Sequence, residues 1–204
     1  MIAIISYGLG NVKAFAEVYK KLDIAAVIAS REEDLQRASK LILPGVGAFD
    51  TAMRLLDQSG LHPLLDDMVQ NQKIPVLGIC VGMQMLADSS EEGSLPGLGW
   101  IAGKVKKFNF SSSNDSMRLP HMGWNNIKAL NSNFLLQKLD QDTRFYFLHS
   151  YFFQAHSDTD VIAVTDYNGK FACAINYENI YGVQFHPEKS HQWGVQLLEN
   201  FARL

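Results

Sequence analysis

The chain has 204 residues, 47% of them hydrophobic, enough for one domain spanning residues 1–204 that buries a core without disulfides or a structural metal. A formal net charge of −3 leaves no basic footprint for nucleic acid, and Lys104, Lys106 and Lys107 read as the solvated side of one strand. The two cysteines, Cys80 and Cys173, lack C-x-x-C spacing or a neighbouring ligand cluster, and the opening MIAIISYG lacks the segments of a leader, so the expectation is a reducing, cytoplasmic setting with no metal, no disulfide and no membrane span.

In chain order, Ile2 to Ser6 is a compact apolar run, Val12 to Leu22 has helical spacing, Ala25 to Ala29 is apolar again, and Leu41-Ile42-Leu43 leads into Pro44-Gly45. Met53 to Met68 predicts a helix broken near Ser59-Gly60 and His62-Pro63, with His62 in the loop, and Ile74 to Ile79 predicts a buried strand. Close alternation of this kind predicts an α/β fold: a mostly parallel central sheet flanked by helices. Later the period shortens. Strands are predicted at Lys104 to Phe110, Trp124 to Lys128, Arg144 to Leu148, Val161 to Asp166, Ala172 to Tyr177 and Tyr181 to Phe185, as an antiparallel extension of the same sheet. The serine-rich piece from Phe110 to Ser116 reads as a mobile hairpin or loop, and Trp193 to Leu204 as a closing amphipathic helix.

Gly8-Leu9-Gly10 follows the first strand as a dinucleotide fingerprint would, but the third glycine position holds Lys13 and no acid is placed for a ribose; a tight turn opening a helix explains it without a cofactor. LGICVGMQML, residues 77 to 86, carries more chemistry. In G-x-C-x-G the cysteine sits on a bend between strand and helix, where the helix dipole favours a thiolate and the next backbone N–H can hold an oxyanion. Alone, that pattern more often marks a buried structural cysteine. A base changes the weighing. The strand Tyr181 to Phe185 ends in His186, Pro187 stops it, and Glu188 lies on the same side if the backbone stays extended. His-Pro-Glu by itself also fits a surface turn, whereas Cys80, His186 and Glu188 together supply nucleophile, base and orienting carboxylate.

LGICVGMQML, PGVGAF, PHMGWN, FYFLHSY and GVQFHPEKS, in that order, resemble the class I glutamine amidotransferases, and PHMGWN narrows the resemblance to the glutaminase subunits of imidazole glycerol phosphate synthase. The matches run from ISYGLGN to LLENF, nearly the whole chain. The resemblance implies a flavodoxin-like fold and hydrolysis of L-glutamine to glutamate and ammonia through a thioester on Cys80, without a cofactor. It implies an oxyanion hole from the backbone of Val81 and of Gly45, Val46 and Gly47, and glutamine held by Gln84 and by the backbone around Ser150 and Tyr151. It also implies a partner, a HisF-type (β/α)8-barrel cyclase that receives the ammonia, facing Tyr7, Asn11, His121, Met122, Trp124 and Asn125. His149 reads as a hydrogen-bonded strand histidine and Cys173 as core.

Ser6 stands where the histidine-pathway family generally has an aspartate. Trp100, His191 and Trp193 look more like paralogues that supply ammonia for acetamidino sugars in surface-polysaccharide pathways, so that acceptor is the alternative. A γ-glutamyl hydrolase or cysteine peptidase would leave PHMGWN unexplained, and a non-catalytic subunit would be expected to lack Cys80 or His186.

Overall fold

The structure is a computed structural model and describes residues 1–109, 118–140 and 142–204. The serine-rich segment from Phe110 to Ser116 lies outside the described residues. Ile2–Ile5 (β1) is buried at every position, as a strand covered on both faces must be. Val12–Lys21 (α1) follows and turns Phe15 and Tyr19, one helical turn apart, into the core. Ala26–Ala29 (β2) and Lys40–Gly45 (β3) then pair on either side of β1, both parallel to it.

The next helix, Phe49–Gln58 (α2), begins four residues before the periodicity suggested. Its first turn is held by a distant group: the Phe49 N–H donates to Glu92 at 2.9 Å. Phe49, Ala52, Met53 and Leu56 form its buried stripe. His62–Asp66 (α3) starts with His62 itself, Pro63 in its first turn, and continues into a π-helical turn, Asp67–Asn71. His62 is therefore helical, not a loop residue, and is bracketed by Asp57 and Asp66. Asp66 also accepts the indole N–H of buried Trp100 at 2.6 Å.

Val76–Cys80 (β4) is fully buried and runs straight into Val81–Met85 (α4). Between this elbow and the end of the chain lie Ser89–Ser90 (β5), Gly103–Lys107 (β6), His121–Asn126 (β7), Lys128–Ala129 (β8), Arg144–His149 (β9), Tyr151–Ala155 (β10), Val161–Asp166 (β11), Lys170–Tyr177 (β12) and Ile180–Val183 (β13). His191–Ala202 (α5) closes the fold, tied to α1 by the Tyr19 hydroxyl on the Leu198 carbonyl.

The main sheet has eight strands in the order β2-β1-β3-β4-β13-β12-β11-β8. From β2 to β13 neighbours are parallel; from β13 to β8 they are antiparallel. The expected extension is thus present, but not all the predicted strands join it. β6 pairs with β5 and β10, and β7 pairs with β9, in two smaller sheets. The run predicted as Trp124 to Lys128 is two elements, since the chain leaves the β7–β9 ribbon after Asn126 and reaches the edge of the main sheet at Lys128. No helix among the described residues is long and apolar enough to cross a membrane.

The elbow lies backbone to backbone against β3. A Cβ on Gly82 would overlap the Leu43 carbonyl oxygen, a rigid neighbour that cannot yield as a side chain would. Gly82→Ala is expected to destabilise the protein by about 1–3 kcal/mol, the usual cost of overpacking. A lowered urea midpoint with an unchanged slope is the measurement that checks it.

Candidate active site

The carboxyl ends of β3, β4 and β13 lie side by side, with Gly45 opposite Cys80 and Ile79 opposite Val183. Loops leaving adjacent parallel strands at that edge converge on one crevice. Cys80 is the last residue of β4, with φ 56° and ψ −112°. A side-chain-bearing residue in that region carries about 1–3 kcal/mol of strain, which persists where the surroundings impose it. Here β4 and α4 impose it from either side, and the bend aims the thiol across the sheet edge.

His186 arrives three residues beyond β13. Its N–H donates to the Tyr146 carbonyl at 2.9 Å, and its own carbonyl accepts the Ser190 hydroxyl at 2.6 Å and the Lys189 N–H at 3.1 Å. Ser190 also accepts the Tyr146 N–H at 3.0 Å, so the ring's backbone is clamped to β9 from both ends. Pro187–Lys189 is a 3-10 turn and not the extended backbone expected, yet it still brings Glu188 Oε1 to 3.0 Å from His186 Nδ1. Both side chains are 3% exposed. Cys80 and the His186 ring line the same cleft.

Burial alone would pull the His186 imidazolium down, but the hydrogen bonds and charges of Cys80 and Glu188 outweigh it and raise the group to about 10. The arrangement therefore favours a charged ring. Glu188 Oε2 is buried and has no hydrogen-bond partner among the described residues.

A cleft of about 330 Å³ opens over these groups. Val46 and Gly47 line it after β3, and Val81 and Gln84 line it from α4. Gly47 takes a φ of 91°, a backbone conformation open to glycine at little cost. Leu148, His149, Ser150 and Tyr151 line the opposite wall. Gln84 is buried and donates to the Tyr151 carbonyl and to Gln184 Oε1, each at 3.0 Å.

The residues expected to face a partner differ in exposure. Met122 and Trp124 are exposed, as is Asn11 at the start of α1. Asn125 is half-buried and donates to the Asp166 carbonyl at 2.9 Å. Tyr7 and His121 depart from the expectation, because their side chains are buried. The Tyr7 hydroxyl donates to the Pro44 carbonyl at 2.7 Å, beneath the strand end that carries Gly45, and burial followed by the nearby Cys80 charge raises its pKa. His121 stacks on Phe147 and Tyr167. In β7 successive side chains alternate faces, so a run of neighbours cannot all point outward.

Several members of the site were not singled out in the sequence. Gln184 Nε2 and the Leu148 carbonyl each lie 3.8 Å from Cys80 Sγ. Gln184 had a signal, since it precedes His186 by two residues and shares its side of the extended chain. Glu92, Lys189 and Pro120 also line the cleft. Glu92 comes from the loop after β5, with nothing local to mark it.

Comparison with known proteins places this geometry in context. The chain matches the family described as "Glutamine amidotransferase class-I" over residues 3–204. It is 55% identical over 204 residues to the protein named imidazole glycerol phosphate synthase subunit HisH from Leptospira interrogans, covering 100% of both chains. The protein of the same name from Bdellovibrio bacteriovorus is 52% identical over 204 residues, again 100% of each. A crystal structure of a glutamine amidotransferase superposes with a TM-score of 0.74 at 19% identity, over 100% of this chain and 99% of that one, and speaks to the fold alone.

Because Cys80 and Glu188 both sustain the charge on His186, Cys80→Ala and Glu188→Gln are each expected to lower its pKa. Titration of the His186 ring by NMR checks this; an unchanged midpoint in both variants would contradict the coupling.

Proposed function

The chain belongs to the class I glutamine amidotransferases, and from that premise we propose that it is the glutaminase subunit of an imidazole glycerol phosphate synthase in histidine biosynthesis. It hydrolyses L-glutamine and passes the ammonia to a HisF-type (β/α)8-barrel cyclase. The observation that carries the reading is the convergence on one cleft of Cys80, Gln84 and a His186 ring held by Glu188.

Cys80 Sγ attacks the side-chain carbonyl carbon of glutamine, and the developing oxyanion takes N–H donors from Val81 and from the Gly45, Val46 and Gly47 segment. His186 gives its proton to the departing ammonia, leaving a glutamyl thioester. The same ring then takes a proton from water, which attacks the thioester and releases glutamate and the Cys80 sulfur. Glu188 holds the ring through Nδ1 and steadies its charge. Gln84, Ser150 and Tyr151 hold the amino-acid end of glutamine, and Glu92, an acidic group on the cleft wall, faces its ammonium.

Val46 and Leu148 line the cleft and are exposed, and Met122 and Trp124, on the strand that pairs with the one carrying Leu148, are exposed apolar side chains as well. A subunit docked over them would exclude water from the ammonia path, and apolar and aromatic contact is the usual chemistry of such a patch. Full-length likeness to proteins named HisH supports the histidine pathway over the acetamidino-sugar alternative. One departure that favoured the alternative, Trp100, is buried against Asp66 and serves the fold, not an acceptor.

Mixed with the cyclase of the same organism, the chain is expected to release glutamate from glutamine, and Cys80→Ala to abolish that release while ammonia-dependent synthesis by the complex continues. Loss of the ammonia-dependent reaction as well would contradict the assignment of Cys80. His186→Ala is expected to cost more turnover than Glu188→Gln, since proton transfer is harder to replace than orientation; equal losses in steady-state assays would contradict that order.

A further inference from the structure

Two buried histidines beside the cleft have no part in the thioester chemistry. His149 ends β9 and lines the cleft; His121 opens β7 directly opposite it in register. His149 Nδ1 lies 2.7 Å from the Tyr151 carbonyl oxygen, which can only accept, so Nδ1 carries the hydrogen. His149 Nε2 is then an acceptor, and it lies 3.0 Å from His121 Nδ1, which must donate. That leaves His121 Nε2 bare, 3.3 Å from the Asn125 amide nitrogen. Each ring needs the tautomer that the other requires. Protonating either one would set two hydrogens, or an extra charge, in a site walled by Phe108, Phe147, Tyr167 and Phe171.

Burial pushes both groups down, His121 to about 4 and His149 to about 3. His186, raised where these two are lowered, is driven the opposite way. With both ring nitrogens engaged, His149 has no lone pair or proton to offer a substrate.

The bond to Tyr151 matters because of what else that carbonyl holds. It also accepts Gln84 Nε2, whose amide continues to Gln184, whose own amide nitrogen lies 3.8 Å from Cys80 Sγ. We propose that His121 and His149 are positioning residues for glutamine, a hydrogen-bonded imidazole pair that fixes the Ser150–Tyr151 turn through the Tyr151 carbonyl. The inference rests on the reading of that turn as part of the glutamine site.

The test uses the chain in complex with the cyclase of the same organism and follows glutamate release. His149→Ala is expected to raise the KM for glutamine about tenfold, the scale of one lost buried hydrogen bond, with kcat changed by less than about threefold. His149→Asn, whose amide N–H can reach the same carbonyl, is expected to restore most of the KM. Alkylation of Cys80 by iodoacetamide, which makes no use of the glutamine turn, is expected to keep its wild-type rate in both variants. Nitrogen-15 spectra of the wild-type protein are expected to show both rings neutral, protonated on Nδ1, across the neutral pH range.

An unchanged KM in His149→Ala, or a protonated ring in the spectra, would overturn the proposal. So would a raised KM accompanied by slowed Cys80 alkylation, which would make the pair a support of the whole fold. A wild-type complex that hydrolyses no glutamine would overturn the glutaminase reading itself, an outcome distinct from a working wild type with an indifferent His149→Ala.

Discussion

The rest of the site depends on one constraint: a cysteine held at positive φ where a buried strand turns into a helix. From there Cys80 lines the cleft at the ends of β3 and β13. The strain is sustained because α4 cannot relax away from β3. Gly82 presses on the Leu43 carbonyl, and Tyr7 pins the next carbonyl, that of Pro44, from below. The strand end that leads to Gly45 is thus fixed up to Pro44, while Val46 and Gly47 beyond it are exposed. Close packing under Cys80 and exposure beside it meet at this one strand end.

Three histidines share this small volume and are driven in opposite directions. His186 is raised because Cys80 and Glu188 together stabilise the cation strongly enough to offset burial. His149 and His121 are lowered because their partners are a carbonyl, an amide and each other, none of which stabilises a charge enough to do so. The His186 charge itself adds to the depression of His149. Burial is common to all three, so the neighbouring groups decide which ring carries the proton.

Much of this architecture was legible in the sequence because it is local. The parallel strands announce themselves as short fully apolar runs, and the strand-glycine-cysteine-glycine-helix pattern of residues 76–85 marks the bend from composition alone. What was not legible depends on distant pairing. The start of α2 is set by Glu92, from far along the chain, so no pattern around Ala48 reveals it. Period-2 alternation identifies β6, β7 and β9 as strands but cannot say which sheet they join, since each sheet offers the same kind of edge. Tyr151–Ala155 escaped notice as a strand because it follows His149 after a single residue, and one apolar run conceals two elements. Tyr7 and His121 were expected outside because the motif was read as a block, whereas their positions in the folded chain turn them inward.

The β7–β9 ribbon joins what the sequence left separate. Its outer face carries Met122 against Leu148 and Trp124 against Tyr146; its inner face carries His121 against His149 and buries Phe145 and Phe147. Along β9 the carbonyl of Tyr146 holds the His186 backbone, the carbonyl of Leu148 lies by Cys80 Sγ, and the chain passes directly into the Ser150–Tyr151 turn. A thin two-stranded element cannot shift its outer face without moving its inner one, because cross-strand pairs on both faces share one backbone. A body docking on Met122 and Trp124 would therefore act through the ribbon on the His186 backbone, the surroundings of Cys80 and the Ser150–Tyr151 turn together.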